Sequence, residues 1–210
     1  MRSGVLDFGR TAGELKRIRR KGWVSLAGIK SPESVADHTF RTAILVMCLS
    51  DLKGLDTEKL VSMALLHDVH EALIGDYDHY DKERIGESEL RSIEVEAMKH
   101  IFSVLSDSLR EKYCLLSIEF QGQETEEARL VRQIDQIEMI FQALEYEKEG
   151  YDRDKLQPFW DNVEEKLEDA DLKKLFKLLK DERSKSIDFG EKSVFKNSTS
   201  SRMPRGRKEV

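Results

Sequence analysis

The chain has 210 residues, 39% of them hydrophobic and 36% charged, with a formal net charge of −6. That length bounds it to one sizeable domain or at most two small ones. The acidic balance argues against a body built to grip a nucleic-acid backbone, which needs clustered basic residues, and no run approaches the ~18 apolar residues of a membrane span.

Apolar residues recur with helical spacing through most of the chain, which predicts an all-α domain with a heavily charged surface. Thr11-Ala12-Gly13-Glu14 has the form of a capping box, so a first helix is predicted from Thr11. The basic stretch Arg17 to Lys21 then stops at Gly22-Trp23, and a loop closes with Ser31-Pro32-Glu33-Ser34. A second helix is read from about Ser34 to Lys53, with Ala36, Phe40, Ala43, Ile44 and Met47 on its core side and Gly54 as its stop. Thr57 caps a third, running to Ile74 and ended by Gly75.

Residues 76–87 read as a polar loop. Further helices are predicted over about Ser88 to Phe102 and Ser106 to Ser117. A long one, Thr125 to Glu149, carries Leu130, Ile134, Ile137, Phe141 and Leu144 on its core face. One or two amphipathic helices follow Pro158 and end near Lys180. The expected organisation is thus a single compact helical domain over residues 1–180 and a basic, disordered tail over 181–210. Cys48 and Cys114 lie in apolar contexts and read as buried free thiols of a reducing compartment. With no charged-then-apolar leader at the start, the chain is expected to be cytoplasmic.

The chemistry concentrates in Leu65-Leu66-His67-Asp68-Val69-His70-Glu71-Ala72, where four titratable groups directly follow an apolar run. Burying them unpartnered costs several kcal/mol, roughly, and a metal ion is the economical compensation. Adjacent helical residues diverge by about 100°, so His67 and Asp68 can share an ion but cannot complete its coordination. His38, early in an amphipathic helix, is the best remote donor. Asp135 is the second, a lone carboxylate on an apolar helix face. Each has an ordinary alternative: a structural hydrogen-bonded histidine for His38, and a pair with Arg132 on the same helix for Asp135.

Taken in order, His38, His67-Asp68 and Asp135 resemble the HD-domain metal-dependent phosphohydrolases. Trp23, Pro32 to His38, His67 to Asp76, Glu124 to Ala128 and Gln142 to Glu147 narrow that resemblance to the 5′-deoxynucleotidase branch, over roughly residues 10–180. The resemblance implies a helical, homodimeric enzyme that removes phosphate from deoxyribonucleoside 5′-monophosphates. It implies one divalent ion (Mn, Co, Mg, Zn or Fe) held by His38, His67, Asp68 and Asp135. By the same carry-over Glu71 is the catalytic carboxylate and Asp76 a second acid at the site. Arg20 binds the phosphate, and Trp23 lies near the sugar. Gln136 departs from the family, which commonly has lysine there.

The chemistry is coherent without the analogy. Glu71 stands three residues beyond Asp68, on nearly the same helix face, and can orient or deprotonate a water. An arginine fork matches phosphate bidentately. These ligands read phosphate and not base, so a cyclic nucleotide or a nucleoside triphosphate is an alternative substrate. A non-catalytic, metal-stabilised module whose basic tail touches nucleic acid weakly is a further alternative.

Overall fold

Helix α1 (Arg2–Glu14) opens the computed structural model, which describes the backbone of residues 2–198 and the side chains of 3–185. It ends where the sequence pattern predicts a helix to begin. Thr11 is no cap: its hydroxyl donates to the Asp7 carbonyl one turn back, at 3.1 Å, an arrangement that suits a helix interior. The expected loop after Gly22 is helical as well, forming α2 (Lys21–Ala27).

Ser34 and Asp37 form the reciprocal capping box that starts α3 (Val35–Lys53), and Gly54 ends it in the left-handed conformation. The helix is where the spacing predicts, but its core side is not. Val35, His38, Thr39, Thr42, Ala43, Val46 and Ser50 are buried, whereas Phe40, Ile44 and Met47 are 69%, 41% and 41% exposed. Small hydroxyl residues can occupy a core face when the backbone absorbs their hydrogen bonds. Thr39 does so, donating to the Val35 carbonyl at 2.8 Å.

Helix α4 (Thr57–Leu66) is capped by Asp56 rather than Thr57, with the Asp56 carboxylate accepting from the Lys59 amide at 3.0 Å. The predicted single helix to Ile74 is instead divided. Residues 67–70 form tight turns before the one-turn α5 (Glu71–Ile74), and Gly75 follows at φ +78. The region expected to be a loop holds α6 (His79–Ile85). Helices α7 (Glu87–Phe102), α8 (Asp107–Gly122) and α9 (Glu126–Lys148) come next, α9 with Thr125 as its cap.

Helix α10 (Arg153–Lys166) contains Pro158, and α11 spans Ala170–Ser198. Thus α11 runs past the expected end near Lys180, and Arg183 packs its guanidinium over the Trp160 ring at 4.6 Å. The basic residues Arg202, Arg205, Arg207 and Lys208, with the rest of 199–210, lie outside the described residues. Among the described residues the fold is all-α, with a lone bridge between Arg19 and Ser34. Helix α9 is its axis, in contact with α3, α4, α8, α10 and α11.

Leu130, Ile134, Ile137 and Leu144 of α9 are buried, while Phe141 is partly so. The cysteine expectation fails, since Cys48 is exposed and Cys114 half-buried, both as free thiols. Cys48 follows Met47 on the side of α3 turned away from the core. No helix among the described residues is long and apolar enough to cross a membrane.

Candidate active site

Three elements deliver the donor atoms to one point at the end of α4. His38 comes from the first turn of α3, His67 and Asp68 from the break after α4, and Asp135 from the middle of α9. His38 Nε2 lies 2.9 Å from Asp135 Oδ1, 3.3 Å from His67 Nε2 and 3.8 Å from Asp68 Oδ2. His67 Nε2 is 3.0 Å from Asp68 Oδ2 and 3.8 Å from Asp135 Oδ1.

The tautomers show what this cluster is fit to hold. His67 Nδ1 is spent on the Ala64 carbonyl at 2.6 Å, and His38 Nδ1 on the fully buried Glu138 carboxylate. If both rings are neutral, with both Nδ1 atoms acting as N–H donors, both Nε2 atoms carry lone pairs, and two facing lone pairs cannot bond one another. A cation between them resolves the conflict. Donors about 2.0–2.2 Å from a shared ion stand about 3.0–3.5 Å apart in octahedral or tetrahedral geometry, close to the separations found. The mixed imidazole and carboxylate set suits a divalent metal.

The break after α4 explains how neighbours in sequence face one target. The Glu71 amide donates to Asp68 O at 3.0 Å and the Leu73 amide to His70 O at 3.0 Å, bonds between residues three apart. In such tight turns residues i and i+3 nearly eclipse. Glu71 therefore stacks over Asp68, and His70 over His67. Glu71 is 7% exposed, and its Oε2 has no hydrogen-bond partner. Burial, with Asp68 and Asp76 adding repulsion, pushes its carboxyl well above the usual range, so it is poised to hold or accept a proton.

Gly75 then lets the chain turn where a side chain would strain it, and Asp76 accepts a hydrogen bond from the Lys21 amide at the start of α2. That contact brings Arg20, the residue before α2, to the cluster, with Nη1 3.5 Å from Asp68 Oδ2. Burial opposes the charge on Arg20, but Asp68, Asp76, Asp135 and Glu71 outweigh it, leaving the guanidinium firmly charged.

Arg20 and Asp76 stand at one side of a cleft of about 490 Å³ whose apolar walls include Trp23, Leu26, Met139 and Phe159. Trp23 is held from three directions: stacked on Phe159 at 4.2 Å, edge-on to Tyr146 at 5.3 Å, and donating its Nε1–H to Glu33 at 3.0 Å.

Sequence reasoning passed over this supporting layer. Glu138, the partner of His38, also accepts from Arg41 Nε at 2.8 Å, and burial pushes Glu33 up to about 7 with Glu138 adding to it. A signal existed for Glu138, because it too is an acid beside a core isoleucine, one turn after Asp135. Arg132 pairs with Asp135 at 3.6 Å, as the plainer reading of Asp135 has it, without displacing Asp135 from the cluster. His70 stands beside the donors and not among the four atoms, and His79 and His100 lie on the surface.

A helical bundle presenting two imidazoles, two carboxylates, a buried acid and an arginine at the head of a cleft defines a metal-dependent hydrolase of phosphate esters. The family comparison gives the particular lineage: the HD domain model matches residues 12–176, and the chain belongs to the HD-domain family. It is 38% identical to the mouse 5′-deoxynucleotidase HDDC2 over 185 residues, 88% of this chain and 91% of the relative. The Dictyostelium discoideum protein of the same name is 37% identical, over 86% of this chain and 99% of its own. Among solved structures, a conserved hypothetical protein from Pyrococcus furiosus superposes with a TM-score of 0.69 at 33% identity, covering 83% of this chain and 98% of that one.

Proposed function

We propose that the protein is a metal-dependent 5′-deoxynucleotidase, releasing phosphate from deoxyribonucleoside 5′-monophosphates. The observation that carries this reading is the convergence of His38, His67, Asp68 and Asp135 beside Arg20, at the head of a cleft sized for one nucleoside. The naming of the mouse and Dictyostelium relatives supports the substrate.

Those four residues would hold one divalent ion, chosen from Mn, Co, Mg, Zn and Fe. When bound, it supplies positive charge against the phosphoryl group and acidifies water at the site. Arg20 clamps the phosphate and aligns it for attack. Glu71, with a free oxygen and a raised pKa, takes the proton of the attacking water. Asp76, tied to the α2 backbone, faces the sugar and the departing 5′ oxygen. Trp23 closes the cleft against the sugar, where a 2′-hydroxyl would meet its ring.

The protein acts as a cytoplasmic homodimer. In α10 and α11, Leu156, Trp160, Val163, Leu172, Phe176 and Leu179 are spent inside the protomer and are not offered to a second copy. The outward row of α3 takes their place as the dimer face.

The test is phosphate release from every deoxyribo- and ribonucleoside 5′-monophosphate by metal-stripped protein resupplied with each ion. Wild type is expected to act on the deoxynucleotides, and Asp68→Ala and Glu71→Ala are expected to lose that activity. Silence with every ion from folded, metal-loaded protein would overturn the reading and turn attention to cyclic nucleotides and triphosphates.

A further inference from the structure

The cluster has a second opening. Besides the large cleft, a recess of about 70 Å³ reaches Asp68 and Glu71 between α6, α8 and α9, walled by His70, Lys82, Gln121 and Arg132. Its volume is several times the ~10–15 Å³ that one water needs, yet far too small for a nucleoside. Lys82 borders the recess and the large cleft alike.

Lys82, Arg132, Gln121 and His70 bring donors to its walls. Lys82 forms no salt bridge among the described residues, although its charge is felt by Glu71 and Glu94. Arg132 stacks over the Phe120 ring at 4.3 Å and spends one nitrogen on Asp135, leaving other N–H groups of its fork free for an anion. The Gln121 amide reaches Glu94 only at 3.4 Å. His70 is 7% exposed, its Nδ1 has no partner, and its Nε2 lies 3.8 Å from Glu94. The acids opposing them are Asp68, engaged with the donor cluster, Glu71, and Glu94, whose carboxyl burial pushes toward the neutral form.

Hydrolysis of a phosphomonoester makes two products that differ in size and charge. The nucleoside fits only the large cleft, and while it remains there it blocks that route. We propose that the recess between Lys82, Gln121 and Arg132 is a binding site for inorganic phosphate, through which the released phosphate leaves separately from the nucleoside. The inference rests on the phosphatase reading above. It differs from that reading in placing a second anion position beside the substrate's own.

The distinguishing measurement is the pattern of inhibition by inorganic phosphate against a deoxynucleoside 5′-monophosphate. Phosphate in the substrate's position competes with substrate, whereas phosphate in the recess binds with substrate in place and lowers kcat. Wild type is expected to show a noncompetitive component. Lys82→Ala and Gln121→Leu should each weaken that component about tenfold, the loss of one charge-assisted or amide hydrogen bond; in Gln121→Leu, whose side chain borders the recess and not the large cleft, KM and inhibition by the deoxynucleoside should hold within about twofold. Lys82→Arg should retain it.

Purely competitive inhibition in wild type, or a KM rising in step with the phosphate constant, would overturn the proposal by assigning these groups to the substrate's phosphate. If wild type hydrolyses no deoxynucleotide, the substrate reading fails on its own. Calorimetric titration of inorganic phosphate into metal-loaded wild type and Lys82→Ala protein then decides the recess, with equal binding by both counting against it.

Discussion

Glu138 is a fully buried carboxylate with two cationic or donor partners, His38 and Arg41, and it fixes the tautomer that a metal ligand needs. Such outer partners tune affinity by about 10–100-fold. Glu138→Gln is therefore expected to weaken metal binding by about that factor, and titration of the stripped protein with Co or Mn reads it directly. Unchanged affinity would mean that His38 is oriented by packing alone. Glu33 does for Trp23 what Glu138 does for His38. Removing its carboxylate in Glu33→Ala frees the indole N–H, so the preference for deoxyribo- over ribonucleotides should shrink while kcat on the deoxynucleotide changes less. A ratio of kcat/KM values for one base with both sugars checks this. At this scale the donor residues were legible, because an acid or imidazole on an apolar face is costly and so conspicuous. Glu33 was less so: it sits in a loop, where a carboxylate needs no explanation until the chain returns Trp23 and Tyr146 to its side.

Local bonding decides where the helices begin and end, and it decides the break that builds the site. The α3 capping box ties Ser34 and Asp37 together just ahead of His38, with the Asp37 carboxylate accepting from the Ser34 amide at 2.9 Å and from its hydroxyl at 2.7 Å. Ser34→Ala is expected to cost about 1 kcal/mol in urea unfolding. The hydrogen bonds from Ser34 hold the Asp37 carboxyl below its usual value. Its stabilisation is accordingly full above the unfolded pKa and lost as pH falls through the folded one. Thermal melts of wild type and Asp37→Asn should therefore differ at neutral pH and begin to converge only as pH falls below about 4; a gap that persists in strong acid would mean the box does not depend on the charge. The capping pattern at Ser34 was readable because cap and acceptor are three residues apart. The same pattern at Thr11 misled, since nothing in four residues shows that Val5, Leu6 and Phe8 extend the helix upstream. Nor does periodicity reveal the turns at residues 67–70, because good helix formers flank them on both sides, Met63 to Leu66 before and Glu71 to Leu73 after.

Across the whole molecule the unusual feature is what α3 leaves outside. In a chain with 36% charged residues, Phe40, Ile44 and Met47 form an apolar row at helical spacing, exposed by 69%, 41% and 41%. An apolar row on a charged surface marks a contact site. Hydropathy assigned this row to the core, and that error has a physical content: the residues are as apolar as core residues, and the fold offers them no cover within one protomer. A symmetric dimer would supply it, because two copies of one helix related by a twofold axis bury the same row against itself. The opposite side of α3 carries His38, so dimerisation would brace the helix that holds a metal donor. Phe40→Glu with Ile44→Glu places like charges against each other across that axis and is expected to convert dimer to monomer in light scattering. The helical circular dichroism should persist, since neither side chain is buried in the protomer. Metal affinity should fall in the monomer if α3 is braced by its copy. A double variant that stays dimeric would move the interface elsewhere on the molecule, and a wild type that runs as a monomer would leave the α3 row without its proposed occupant.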